Sequence, residues 1–179
     1  ITVMKNLNEI LKPLNHGIIY CDLDGVLVEM LGEISKIYNI PNLNDENFDI
    51  YLVKFKDDLE KNHPHFFANL SWKSDGKLLW SFILKHNPSI LSSAPRRWQE
   101  NATDDKKTWV KKNLQLTGDR VQIVRGSDAK KSYATTGGKK NILIDDFKKN
   151  IISWNQAGGI GILHVNAANT IAELKKLGY

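Results

Sequence analysis

Cysteine is almost missing: Cys21 stands alone among 179 residues, so no disulfide can form within the chain. A lone thiol points to a reducing compartment, and its place in an apolar run marks it as a small core hydrophobe and not a nucleophile. Long apolar runs are also missing; none approaches the roughly 20 residues of a membrane span. The first residues lack the basic region, apolar stretch and small-residue cleavage site of a secretory leader. The expectation is a cytoplasmic protein with no membrane partner. Charge of a single sign is absent too. Lys and Arg number 25 against 20 Asp and Glu, a net charge of +5 that suits anionic ligands without naming one. The basic residues are spread over several helical patterns, as solvated faces are. With 41% hydrophobic and 25% charged residues, the chain is neither disordered nor fibrous. It is long enough for one domain, or for a core domain with a small insertion.

What is present is concentrated in Ile18-Ile19-Tyr20-Cys21-Asp22-Leu23-Asp24-Gly25. An apolar run ending in two carboxylates and a glycine has the form of a buried parallel strand reaching the ligand-binding edge of an open sheet. In extended backbone Asp22 and Asp24 point one way and Leu23 the other. Two like charges so close call for a cation or a shared proton.

Four further short strands follow, at 89–93, 121–124, 141–146 and 161–165, alternating with helical patterns. That alternation predicts an α/β fold with a parallel sheet covered on both faces. A helix is expected over residues 7–14, another from Ser74 as N-cap to about His86, and a last one opened by a Thr170/Glu173 capping box. Between the first two strands, apolar periodicities around Met30–Tyr38 and Phe48–Leu59 predict two helices, ended near Pro41 and at His63-Pro64. With Phe66 to Trp72 they are too much for a plain crossover, and a small helical cap over 27–73 is the economical explanation, leaving 1–26 and 74–179 as the core.

The first strand ends in Asp-Leu-Asp-Gly, the second in Ser92-Ser93 and the fourth in Asp145-Asp146, with Lys130-Lys131 opening the segment before the fourth. In this order they resemble the four motifs of the haloacid dehalogenase (HAD) superfamily of phosphohydrolases, over Ile18 to Leu177. The stretches Phe66 to Pro95 and Ile142 to Asp146 look most like the 5′(3′)-deoxyribonucleotidase branch, which carries a small helical cap. The resemblance implies a Rossmann-like sheet of order 3-2-1-4-5 and a Mg²⁺-dependent phosphatase acting on a small phosphorylated substrate, best a nucleoside monophosphate. Asp22 would be the nucleophile and Asp24 the acid and base. Ser92 and Lys130, or Lys131 one residue on, would hold the phosphoryl oxygens. Ser93, Arg96 and Trp72 would touch substrate. Asp22, Asp24 through its carbonyl, and Asp145 or Asp146 would bind the metal. Phe66, Phe67 and Trp72 fit either a base-stacking surface or the cap's own core. A 3′-phosphatase on nucleic-acid ends and a non-catalytic binding module are the alternatives. His63-x-His65 lacks metal-binding partners, and Gly137-Gly138-Lys139-Lys140 lacks the spacing of a phosphate-binding Walker loop, so both read as turns.

Overall fold

The computed structural model describes residues 16–179, so the helix expected over 7–14 lies outside the described residues. In chain order the elements are β1 (Ile19–Cys21), α1 (Met30–Tyr38), α2 (Phe48–Asn62), a 3₁₀ turn (Phe66–Asn69), α3 (Gly76–Leu84), β2 (Ser89–Ala94), α4 (Ala102–Leu114) and β3 (Val121–Arg125). A short 3₁₀ turn (Gly118–Arg120) precedes β3, and a third 3₁₀ segment (Ser127–Tyr133) leads to β4 (Thr135–Thr136), β5 (Lys139–Lys140), β6 (Ile142–Asp145), α5 (Lys148–Gln156), β7 (Ile160–Leu163) and α6 (Ala167–Lys176).

Five strands form one parallel sheet in the order β3-β2-β1-β6-β7. The expected 3-2-1-4-5 counts five strands only. The chain adds an antiparallel β4–β5 hairpin ahead of the fourth sheet strand, and this shifts the numbering. Gly137 and Gly138, both at positive φ, make its two-residue turn, a conformation that costs glycine little. The sheet residues Ile19, Ile90, Leu91, Ile142, Leu143 and Ile144 are buried, as strands covered on both faces require. Among the described residues no helix is long and apolar enough to cross a membrane.

Two helix starts differ from the sequence reading. The α3 helix begins after Asp75, not Ser74, and the Asp75 carboxylate crosses to α6, accepting from the Ala167 N–H at 2.6 Å. The α6 helix is capped by Asn166, whose side chain accepts from the Asn169 N–H at 2.8 Å. Thr170 therefore lies inside the helix, where its hydroxyl bonds His164 Nδ1 at 2.8 Å. Buried tertiary partners take both side chains, a competition local sequence cannot show.

Between β1 and α3, α1 and α2 pack through Tyr38, Phe48 and Phe55, with the Tyr38 and Phe55 rings stacked at 5.0 Å. The Phe66–Asn69 turn lies against α4. This contact brings the residues after β1 and after β2 to one edge of the sheet.

Candidate active site

Parallel pairing builds the site. Cys21 is paired with Ile144, so the next residues, Asp22 and Asp145, come side by side at the carboxyl ends of β1 and β6. Gly25 sits in the turn beyond, at φ +74°, and a side chain there would place its Cβ 1.7 Å from Asp146 Oδ2. Glycine is thus required twice over: for the backbone conformation, and to let Asp146 rest against the turn. One carboxylate oxygen from each of Asp22, Asp145 and Asp146 lies within 4.8 Å of the others.

Lys130 resolves most of that charge. Its Nζ lies 2.8 Å from Asp22 Oδ2 and 2.7 Å from Asp145 Oδ2, and the side chain is almost wholly buried. Burial alone would lower its pKa, but Asp22 and Asp145 outweigh it and hold the ammonium well above the ordinary lysine range. Lys131 is exposed. Asp145 is fully buried and fully engaged: Oδ2 also accepts from Asn150 Nδ2 at 2.9 Å, and Oδ1 accepts from the Phe147 N–H at 2.8 Å. Burial and Asp22 push its carboxyl up, against the pull of Lys130. Among the described residues Asp146 has no such cation, and burial, with Asp22 and Asp145 beside it, pushes its pKa up to about 8. Asp22 Oδ1 accepts from the Leu23 N–H at 2.8 Å. Cys21 is fully buried, and burial with Asp22 nearby pushes its thiol far up, which makes it inert.

Asp24 has a separate partner. Lys106 on α4 donates to Asp24 Oδ2 and, at 3.1 Å, to Ser92 Oγ. Ser92 is fully buried, whereas Ser93 lines the mouth. Burial raises the Asp24 pKa and Lys106 opposes it.

Two cavities meet here. The acidic one, about 280 Å³, is lined by Asp22, Asp24, Asp45, Ser93 and Asp146. The other, about 250 Å³, is aromatic, lined by Phe48, Phe67 and Trp98, and shares Asp24 and Ser93 with the first. Arg96 lines it too, but its guanidinium pairs with Asp128 and donates to the Arg125 carbonyl at 3.3 Å. Trp72 lines neither cavity. It packs on Trp109 at 5.0 Å and donates its indole N–H to Asn113 at 3.3 Å, while Trp98 supplies the indole at the mouth. Phe66 and Phe67 are buried, and Phe67 alone of the two reaches the aromatic cavity.

No family model matches the chain, and no curated protein matches it in sequence. Solved structures do match in three dimensions. A HAD family hydrolase from Deinococcus radiodurans R1, with bound phosphate and sodium, is 18% identical with a TM-score of 0.54, covering 93% of this chain and 90% of that one. The chain shares the α/β fold of that hydrolase. A hydrolase from Streptococcus pneumoniae TIGR4 is 14% identical with a TM-score of 0.50, covering 90% of this chain and 99% of that one. In this fold the acids and Lys130 occupy the strand-end edge, where open α/β sheets bind ligands.

The charge on Asp146 has a measurable consequence. With a folded pKa raised above the unfolded one, the native state holds more protons than the unfolded chain between about pH 4 and 8, so stability falls as pH rises through that window. Asp146→Asn is therefore expected to stabilise metal-free protein at pH 8–9 by at least about 2 kcal/mol, or roughly 4 °C or more in Tm, with the gain shrinking toward pH 4. Thermal melts in chelator across that pH range check it.

Proposed function

We propose that the protein is a Mg²⁺-dependent phosphomonoesterase acting through an aspartyl-phosphate on Asp22, with nucleoside monophosphates as its substrate class. This reading is carried by the meeting of the two cavities at Asp24, where the clustered acids open beside a space lined by Phe48, Phe67 and Trp98. The residues suit a hard cation. Asp22 and Asp146 offer oxygens on a common opening, and the elevated pKa of Asp146 marks a carboxylate short of positive charge. Asp145, with both oxygens bonded, serves by holding Lys130 and Asn150. Bound Mg²⁺ would screen the phosphate from the carboxylates.

The chain's own groups then divide the work. With Oδ1 on the Leu23 N–H and Oδ2 on Lys130, Asp22 is fixed in one rotamer. Its oxygen bonds phosphorus as the ester oxygen departs, and Asp24 gives that oxygen its proton. Asp24 next takes a proton from water, which attacks phosphorus, and the Asp22 carboxylate leaves. Lys130 offsets charge on the phosphoryl oxygens, Ser93 offers a hydroxyl at the mouth, and segment 27–73 acts as the cap that admits the leaving group.

A panel of 5′- and 3′-nucleotides, sugar phosphates and 3′-phosphorylated oligonucleotides, with Mg²⁺ or chelator, tests the reading. Nucleoside monophosphates should lead, with activity lost in chelator. Preference for an oligonucleotide end, with binding that falls steeply as salt rises, would replace the nucleotidase reading by the nucleic-acid one. Inactivity on every member would favour a binding module. Trp98→Ala should raise KM for a nucleotide about 10-fold or more, from a lost stacking contact of about 1–3 kcal/mol. KM for glycerol phosphate should stay within about twofold.

A further inference from the structure

Lys106 is a costly residue for its place. It lies on the inward stripe of α4 between Ala102 and Trp109, is 2% exposed, and a methionine could fill the same volume. Its ammonium has three partners: Asp24 Oδ2, Ser92 Oγ at 3.1 Å, and the face of Phe67, whose ring centroid is 4.8 Å away. Those partners come from the turn after β1, from β2 and from the Phe66–Asn69 turn. Asp24 itself stays at the mouth, with its side chain 21% exposed and lining both cavities. One carboxylate oxygen is thus tethered to a buried, immobile cation while the carboxylate still faces the substrate space.

We infer that Lys106 is a positioning residue that holds the Asp24 carboxylate in line with the leaving oxygen, so that proton transfer to that oxygen depends on it. The inference rests on the phosphomonoesterase reading. Lys130 serves the nucleophile and Lys106 the proton carrier, two ammonium groups that share no ion-pair partner among the described residues. Ser92, which sequence reasoning placed against phosphate, belongs to this clamp through its bond to Lys106.

The proton matters only when the leaving oxygen is basic, and this gives a readout that general loosening of the site would not produce. Comparing kcat/KM, which reports steps up to departure of the leaving group, for an alkyl phosphate (a nucleoside 5′-monophosphate) and for p-nitrophenyl phosphate separates the two. In Lys106→Met the alkyl ester should lose about 100-fold or more, the usual range for general acid catalysis, and the aryl ester less than about threefold. Lys106→Arg keeps the charge but moves it on a longer, planar group, and should show the same selective loss; it decides the matter if the methionine variant melts below assay temperature. Equal loss on both esters, a rise in KM with kcat unchanged, or no change on either overturns the role of Lys106 and leaves the phosphatase reading standing. Wild-type protein inactive on both esters overturns the phosphatase reading, and the role of Lys106 with it.

Discussion

Asp22→Asn is expected to abolish Mg²⁺-dependent phosphate release, by at least about 10⁴-fold in kcat, the order seen when the nucleophile of a covalent mechanism is removed. The amide has nearly the same shape but cannot form an acyl phosphate, so no covalent route remains. The fold should survive. The introduced amide would keep an oxygen for the Leu23 N–H, and Lys130 would retain Asp145 at 2.7 Å. Removing one of three crowded carboxylates also relieves the repulsion that raises Asp146. Circular dichroism should therefore be unchanged while phosphate release disappears. Substantial residual hydrolysis in a folded variant would move the nucleophile elsewhere.

Lys130→Met is expected to be the most damaging single change to stability, at about 3–5 kcal/mol, because it leaves Asp22 and Asp145 buried and facing each other without their cation. At roughly 2–4 °C per kcal/mol for a chain of this length, Tm should fall by roughly 6–20 °C. The pH dependence has a definite sign. Burial and Asp22 already push the Asp145 carboxyl up against the pull of Lys130, so without the ammonium it should titrate higher still in the folded state than in the unfolded chain, and the folded variant binds more protons as pH falls. Its deficit is thus greatest above neutrality and partly recovered toward pH 5. Lys131→Met, on an exposed side chain, should change stability by less than about 0.5 kcal/mol. Melting the two variants side by side at pH 5, 7 and 9 checks both the size and the sign.

The sheet was legible because buried parallel strands announce themselves: the first, second and fourth apolar runs end in polar residues that the fold gathers at one edge. The acids at 22, 24, 145 and 146 were legible for the same reason. Lys106 was not, because a lysine in a charged helix reads as solvated. Its signal lay in its phase, four residues after Ala102 and three before Trp109, both buried, so the apolar stripe of α4 runs through a lysine. Trp98 and not Trp72 lines the mouth, and no period in the sequence tells a packed indole from an exposed one. Trp72 is tied down by the Val28–Trp72 bridge and by Trp109, whereas Trp98 rides the turn between β2 and α4 against Phe48 and Phe67. Ser92 and Ser93 share a strand end, and only strand phase decides which is buried. The extra β4–β5 hairpin hid behind a glycine pair correctly read as a turn but not as one joining two strands.

If Asp22 carries the phosphoryl group, the acyl phosphate can be trapped there. Protein mixed with Mg²⁺ and a nucleoside monophosphate, quenched within milliseconds, reduced with borohydride and mapped by mass spectrometry, should show substrate-dependent conversion of the Asp22 carboxyl to an alcohol, since borohydride reduces acyl phosphates. Turnover without any change at Asp22, or with the label on another side chain, would contradict it.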